Sequence, residues 1–428
     1  MRDTIFARST PPGKSGVAIV RLSGPASWDA IHRLTGCTLP PARYMARRDI
    51  RYDGELIDQS VVVLFEEGRS FTGEQGAEIH LHGSEAVVRA TLAALAQLDG
   101  LRPASAGDFT RRALENNRMT LSEVEGLSAL LEAETDAQRR LAVGVAGGGL
   151  RIMVDRWRQA LVRLLASIEV SVDFADEEVP QAVDSALIGT LRETAANARI
   201  EADGVRDAGK IARGFEVAIV GAPNVGKSTL LNRLAGRDAA LTSDIAGTTR
   251  DIVEVRMEIA GQLVTLLDTA GIREAADTVE RLGVDRARTR AGAADLRVFL
   301  GPVPVGVEVQ CGDLEVRAKA DLLSTAEGLA VSGTTGQGIS DLLDAIGQEL
   351  SGRVAQASLA ITIRQSAAFS AAAGALDRAA DMLETDVDSP ELAAEDIRGA
   401  IQALDVLVGR ISPEEVLGEI FAQFCIGK

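Results

Sequence analysis

The octapeptide Gly221-Ala222-Pro223-Asn224-Val225-Gly226-Lys227-Ser228 decides the fold. It fits G-x-x-x-x-G-K-[ST], a loop whose backbone N–H groups cradle phosphates. Its flanks agree. The apolar run 217–220 reads as a buried strand, and 229–234 reads as the opening of a helix. A strand–turn–helix aims N–H groups and the positive helix end at an anion. Asn224, Val225, Gly226, Lys227, Ser228 and Thr229 are therefore expected to line a nucleotide, GTP or GDP. Lys227 would reach the β- and γ-phosphates, and Ser228 would hold Mg²⁺.

Downstream segments follow in the order a GTPase needs. Asp244-Ile245-Ala246-Gly247-Thr248-Thr249-Arg250-Asp251 comes after the loop's helix, and Thr249 is the candidate for meeting Mg²⁺ and the γ-phosphate. The buried-strand pattern 263–267 ends in Asp268-Thr269-Ala270-Gly271. Asp268 is placed to bind Mg²⁺ through water, and the Gly271 N–H to sense the γ-phosphate. Where many GTPases put a water-orienting Gln, this chain has Ile272, which has no hydrogen-bonding group. Glu274, Asp277 and Glu280 are the nearby acids, Arg250 and Arg273 remain open as cationic fingers, and a monovalent cation could supply the same charge.

Base recognition departs from the usual Asn-Lys-x-Asp. The chain has Ala318-Lys319-Ala320-Asp321. Asp321 can accept from guanine nitrogens and the Lys319 stem can cover the ring. The Asn hydrogen bonds that tie such a loop together are lost, at a cost of about 1–3 kcal/mol. Ser332-Gly333 stands where Ser-Ala is usual and keeps the backbone N–H for guanine O6. The connection from Phe299 to Leu314 is too short for a usual crossover helix with loops.

The 428 residues suit two or three domains, and 46% hydrophobic with 25% charged residues is an ordinary globular composition. A net charge of −17 argues against tight binding to bare nucleic acid by bulk electrostatics, so a local basic patch or a partner must supply positive charge. Cys37, Cys311 and Cys425 are too few for a disulfide framework and suggest a reducing compartment. The start lacks a signal-peptide core, and no apolar run approaches the roughly 18 residues of a membrane span, so a cytoplasmic protein without a membrane association is expected.

Residues 1–118 read as mixed α/β, with strands at 17–20, 61–65 and 78–82 and a helix carrying Val87, Thr91, Leu95 and Leu98. Glu78, His80 and His82 share a strand face. They could be read as metal ligands, but two histidines and an acid without a further ligand are a weak set. Residues 119–209 turn helical, with an amphipathic stripe at Leu161, Leu164, Leu165 and Ile168. Residues 210–353 hold the nucleotide motifs. Residues 354–428 are helical again: Ile397, Ile401, Leu404, Val408 and Ile411 recur three or four apart, and Ser412-Pro413-Glu414-Glu415 starts a last helix. Two helical blocks around an α/β block suggest one helical domain with a Ras-like P-loop domain inserted in it. The fold class is multidomain α/β plus α.

With these residues assembled, the chain resembles the tRNA-modification GTPases of the MnmE (TrmE) family from end to end. The matching segments include Asp3-Thr4-Ile5-Phe6-Ala7, Ala18-Ile19-Val20-Arg21-Leu22-Ser23-Gly24, Ser70-Phe71-Thr72-Gly73-Glu74 and Gly107-Asp108-Phe109-Thr110-Arg111-Arg112-Ala113. Asp173-Phe174-Ala175-Asp176-Glu177-Glu178 and the ending Cys425-Ile426-Gly427-Lys428, a C-x-G-K motif, also match.

The resemblance implies a folate-binding N-terminal domain that forms a homodimer. It implies GTP hydrolysis that depends on K⁺, and addition of an aminomethyl-type group to carbon 5 of the tRNA wobble uridine using a reduced folate, 5,10-methylene or 5-formyl tetrahydrofolate. It also implies an FAD-dependent partner of the MnmG (GidA) family, in a heterotetramer or larger assembly. Carried over by position, K⁺ would be held by Asn224, Ser243, Ile245 and Thr248, and Mg²⁺ by Ser228 and Thr249. Glu280 would orient the attacking water. Arg21, Glu78, Arg118 and Lys428 would bind the folate beside Cys425, the candidate catalytic thiol of the modification. The segment from Ser243 and Asp244 through Ala246, Gly247 and Thr249, and the run Asp268, Thr269, Ala270 and Gly271, would close around the nucleotide. Lys319, Asp321, Ser332 and Gly333 would hold its base. Arg118 replaces a Lys, and Gln365 a His. A ribosome-assembly-type GTPase would share the nucleotide motifs without explaining residues 1–118 or the ending. A scaffold with a weakened site would suit Ala318 but not the intact Lys227, Ser228, Thr249, Asp268 and Glu280.

Overall fold

A computed structural model describes residues 3–173, 185–237, 254–268, 289–304, 307–323, 328–354, 359–385, 390–409 and 427. The chain divides into two compact units, Met1–Ser128 with Asp405–Lys428, and Ala129–Leu404.

The first unit is built on a six-stranded sheet of β1 (Thr4–Arg8), β2 (Ser15–Ser23), β3 (Ala46–Tyr52), β4 (Glu55–Phe65), β5 (Gly76–Gly83) and β6 (Leu101–Pro103), in the order β3-β4-β5-β2-β1-β6. All neighbours are antiparallel except β1 and β6. Period-2 alternation splits the sheet into two faces. Ala77, Ile79 and Leu81 of β5 join Val20, Leu22, Val62 and Leu64 in a core closed by α1 (Ser27–Thr35) and α2 (Glu85–Ala96). The intervening residues, Arg21, Glu78 and His80, fall on the opposite face. There Ile5 and Ala7 pack with Ala104 and with Phe109 of α3 (Asp108–Glu115). The edges are blunted: β3 carries exposed Arg47 and Arg51, and β6 is three residues long and ends in Pro103. The chain re-enters this unit at its far end, where Ser122 of α4 (Leu121–Glu132) donates to the carbonyl of Leu407.

The second unit holds the other sheet: β7 (Phe215–Gly221), β8 (Glu254–Ile259), β9 (Gln262–Asp268), β10 (Leu296–Leu300), β11 (Leu314–Ala318) and β12 (Ala330–Val331), ordered β12-β11-β10-β7-β9-β8. Only β8 runs antiparallel to its neighbour. Central strands buried on both faces call for apolar residues: β7 carries the run 217–220, while β10, Leu-Arg-Val-Phe-Leu, is buried throughout with Arg297 set among its apolar residues. α8 (Lys227–Ala235) and α9 (Ile339–Val354) contribute Leu230, Leu231, Leu234, Leu342, Ile346 and Leu350 to the core.

Thirteen residues, 301–313, join β10 to its parallel neighbour β11, and those described form no helix. A buried ion pair stands there instead. Arg297 of β10 and Asp313 are 1% and 0% exposed, with Nε donating to Oδ2 at 2.8 Å and to Oδ1 at 3.0 Å. Asp313 also accepts from the backbone N–H groups of Arg297 and Gln310, at 3.0 and 2.7 Å.

Helices complete this unit: α5 (Asp136–Ala146), α6 (Gly149–Asp173), α7 (Ser185–Arg213), α10 (Ile363–Thr385) and most of α11 (Pro390–Leu407). Thr135 and Gln138 form a capping box at α5. Trp157 of α6 meets Phe369 of α10 edge-on at 5.9 Å. Of the amphipathic stripe on α6, Leu161 and Ile168 are fully buried while Leu164 and Leu165 are half-buried. Arg192 of α7 binds Asp377, Asp381 and Glu384 of α10. The helix start at Ser412 lies outside the described residues. The molecule is multidomain α/β plus α.

Candidate nucleotide-binding site

β7 ends at Gly221, which sits so close to β10 that an added Cβ would lie 2.7 Å from the Leu300 carbonyl oxygen. The loop then turns through two left-handed residues, Asn224 at φ 58° and Gly226 at φ 113°. Asn tolerates this region far better than most non-glycine residues. The turn delivers Lys227 to the first turn of α8. Its ammonium donates back across the loop to the carbonyls of Gly221 at 2.8 Å and Ala222 at 3.0 Å. Burial pushes the Lys227 ammonium below its ordinary range, and the nearby Asp268 carboxylate opposes that shift.

The β7–β9 register pairs Ile219 with Asp268, setting Asp268 beside the start of α8. Ser228 Oγ donates to Asp268 Oδ2 at 2.8 Å. Asp268 is buried, and its Oδ1 has no hydrogen-bond partner among the described residues. A buried carboxylate oxygen without a donor next to a serine hydroxyl is an all-oxygen donor set that suits Mg²⁺, a hard cation held by one or two such groups plus phosphate and water.

A cavity of about 300 Å³ opens beside the loop, lined by Asn224, Thr229, Lys319, Asp321, Ser332 and Gly333 among others. β11 carries the base-recognition residues to it. Lys319 takes a left-handed conformation at φ 58°, and Asp321 follows on the 3₁₀ turn Ala320–Leu322 with its carboxylate exposed. Ser332 Oγ accepts from the Thr335 N–H at 3.1 Å and closes the turn after β12. Gly333 is fixed by space: a Cβ there would meet the Leu230 nitrogen at 2.7 Å and the Thr229 carbonyl carbon at 2.9 Å. The Ser-Ala expected from other GTPases would not fit against α8 in this arrangement.

Thus Asn224, Val225, Gly226, Lys227, Ser228, Thr229, Asp268, Lys319, Asp321, Ser332 and Gly333 are brought around one crevice. Ser243, Asp244, Ile245, Ala246, Gly247, Thr248, Thr249, Thr269, Ala270, Gly271, Ile272, Glu274, Asp277 and Glu280 lie outside the described residues. Arg297 and Asp313 were not legible as a pair, because charged residues at a strand and in a loop carry no pairing signal.

In the first unit, Arg21 and Glu78 face each other across β2 and β5, with Nε donating to Oε1 at 3.0 Å. His80 shares the other Glu78 oxygen at 3.2 Å. His82 pairs with Asp58 instead, and the described residues hold no three-residue metal cluster. The Arg21 guanidinium lies over the rings of Phe71 and Phe109, 5.7 and 6.0 Å from their centres. Phe71 belongs to the 70–74 loop, and the Arg118 stem packs against Gly73 of that loop. Arg112, which the motifs did not single out for a role, anchors the loop by binding Glu74 at 2.8 Å, with Asp3 on its other side at 2.8 Å. Cys425 and Lys428 lie outside the described residues. Gly427 between them is buried, with its carbonyl accepting from Ser9 Oγ at 3.2 Å. At φ 102°, with an added Cβ 2.2 Å from the Arg8 carbonyl oxygen, only glycine fits there.

Two family models match the chain: GTP-binding protein TrmE N-terminus over residues 4–118, and MnmE helical domain over residues 121–425. The tRNA modification GTPase MnmE of Cereibacter sphaeroides is 52% identical over 430 residues, covering 100% of both chains. Its namesake from Dinoroseobacter shibae is 49% identical over 430 residues with the same coverage. Among solved structures, Era from Aquifex aeolicus is 28% identical and covers 32% of this chain and 56% of its own, with a TM-score of 0.26. Full-length identity near one half, together with two family models that span nearly the whole sequence, makes this chain a member of the MnmE family of tRNA modification GTPases.

Proposed function

We propose that this chain is a K⁺-dependent GTPase that works with an FAD-dependent protein of the MnmG family. Together they modify carbon 5 of the wobble uridine of certain tRNAs, adding an aminomethyl-type group from a reduced folate. GTP hydrolysis in tRNA modification is the family's activity. The observation that carries the reading is the Ser228–Asp268 pair, whose Oδ1 is unsatisfied among the described residues, set beside Lys227 in a chain that also holds the Arg21–Glu78 face.

Lys227 neutralises phosphate charge, and Ser228 and Thr249 would hold Mg²⁺, with Asp268 reaching it through water. Bound there, the ion supplies Lewis-acid stabilisation of charge on the phosphoryl oxygens. Asn224, with Ser243, Ile245 and Thr248, holds K⁺, and Glu280 orients the attacking water in place of the Gln that Ile272 cannot be. Asp321 accepts from guanine nitrogens while the Lys319 stem covers the ring. On the folate side, Arg21, Arg118 and Lys428 bind carboxylates and Glu78 accepts from the pterin amino group, a charge-assisted arrangement. Cys425 sits beside this site. Residues 1–118 form the folate-binding and homodimerisation domain, 119–209 and 354–428 the helical domain, and 210–353 the inserted nucleotide domain. The assembly works in the cytoplasm.

GTP turnover in matched KCl and NaCl tests the cation: the rate should be higher in K⁺, and equal rates would remove the K⁺ site. Glu280→Ala should bind GTP and hydrolyse it slowly. Nucleoside analysis of tRNA from a strain carrying only this protein should find the modified wobble uridine. Its absence, with GTP turnover intact, would refute the tRNA reading.

A further inference from the structure

Arg21 is held on three sides. Its Nε donates to Glu78, and its guanidinium lies between the rings of Phe71 and Phe109. Its two terminal nitrogens meet no hydrogen-bond partner among the described residues, and the side chain is 24% exposed. An arginine fixed through Nε and by both ring contacts, with its terminal pair open, is a preformed fork for a carboxylate. That fits the glutamate tail of a folate, and the Glu78 carboxylate beside it fits the donors of the pterin ring. The two rings come from different elements. Phe109 is fully buried on α3, while Phe71 is 39% exposed on the 70–74 loop. A ring so exposed gains little from burial, so its place over Arg21 depends on what holds the loop.

Arg112 holds it. It follows Phe109 by three residues, on the same side of α3, and is buried. Its Nη1 donates to Glu74 Oε2 at 2.8 Å, to the Asp3 carbonyl at 2.9 Å and to the Ser23 carbonyl at 3.2 Å, and its Nη2 donates to Asp3 Oδ1 at 2.8 Å. The same Glu74 oxygen accepts from Ser23 Oγ at 2.7 Å. Ser23 follows Arg21 by two residues, on the same face of β2. A buried ion cluster by itself is weak evidence of anything beyond packing. This one is informative in what it joins. It ties the loop that carries one ring to the helix that carries the other and to the strand that carries Arg21.

We propose that Arg112 is a positioning residue for the folate site: through Glu74 it sets the gap between Phe71 and Phe109, and with it the aim of the Arg21 fork. The inference rests on the folate reading above and adds the residue that keeps the carboxylate receptor in shape before the ligand arrives. Preorganisation of this kind raises affinity by sparing the ligand the ordering of its own site.

The test is equilibrium dialysis of 5-formyltetrahydrofolate against the full chain in a double-mutant cycle: parent, R112Q, F71A and R112Q/F71A, with R21A as the reference for the site. Freeing one wall of the fork should weaken binding about tenfold in either single variant. Because Arg112 acts through the Phe71 ring, the double variant should also lose about tenfold, not about a hundredfold. General damage to the fold would add to the loss from F71A instead of replacing it. Where R112Q does not fold, E74Q takes its place in the cycle, since it removes the charge that Arg112 answers, and the same outcomes decide. Parental affinity in R112Q, with R21A weakened, overturns the proposal while the folate reading stands. Losses that multiply in the double variant overturn it in favour of a purely structural role. A parent that binds no folate, or R21A binding as tightly as the parent, overturns the folate reading of this face and the proposal with it.

Discussion

Removing the Asp313 carboxylate should open the sheet where β10 meets β11. Arg297 is held in the interior by that carboxylate through two contacts of 2.8 and 3.0 Å. Its remaining contacts, to the Ala291 and Gly292 carbonyls, are long at 3.4 and 3.5 Å. Asp313→Ala therefore strands a cation that is 1% exposed. Breaking a buried pair from one side typically costs about 3–5 kcal/mol. It also orphans the Arg297 and Gln310 N–H groups. Read as an opening free energy, that loss should speed amide exchange of β10 and β11 on the order of 10²- to 10⁴-fold, measured on peptides by mass spectrometry. The decisive comparison is Arg297→Met/Asp313→Ala. The same N–H groups stay orphaned in the double variant, but the stranded charge is gone and Met fills the space. Its exchange should be slower than in Asp313→Ala. Exchange as fast in the double variant as in the single, or unchanged exchange in Asp313→Ala, would refute the argument that a stranded charge dominates.

Other substitutions probe the two sites. Gly333→Ala places a Cβ against the backbone at the start of α8 and should cost about 1–3 kcal/mol by overpacking, weakening GDP binding by titration; unchanged affinity would show that the turn after β12 yields freely. Ala318→Asn should tighten GDP and GTP about tenfold, equivalent to about 1.4 kcal/mol, by restoring the missing tie in the base loop, and no gain would mean the loop is already fixed by other contacts. Gly427→Ala should dislodge the C-terminal residues from Arg8 and Ser9, reducing binding of a reduced folate in equilibrium dialysis while GTP turnover is unchanged; undiminished folate binding would separate the tail from that site.

Much of the nucleotide half was readable because its signals are local. The apolar runs of β7 and β9, the glycine and lysine of the loop, and the strand before Ala318 each announce themselves within a few residues. The edge strands did not. β3, with the sequence ARRDIRY, and β8, with EVRMEI, are half-exposed and charged, so their apolar positions are too few to stand out. Their identity as strands comes from pairing with β4 and β9. The same limit governs the sites. Lys227 and Ser228 could be placed by spacing, and Asp268 by its strand. The Arg297–Asp313 pair, the Arg112 anchor and the steric demand at Gly333 are products of packing between distant segments, which leave no trace in either segment alone.

The division of the chain also orders its synthesis. The first unit takes its ends from Met1–Ser128 and Asp405–Lys428, with the whole second unit encoded between them. At about 5–20 residues per second, a ribosome needs roughly 14–55 s to travel from residue 128 to residue 405. For that interval the nascent N-terminal sheet exists without the partners of Ser122 and Ser9, the carbonyls of Leu407 and Gly427. The Ala129–Leu404 unit emerges whole during the same interval and can fold as it leaves the ribosome. The N-terminal unit therefore acquires its last contacts only after the nucleotide-binding part has been made, and a stalled or truncated chain would present a complete GTP site on a protein whose N-terminal unit is still open.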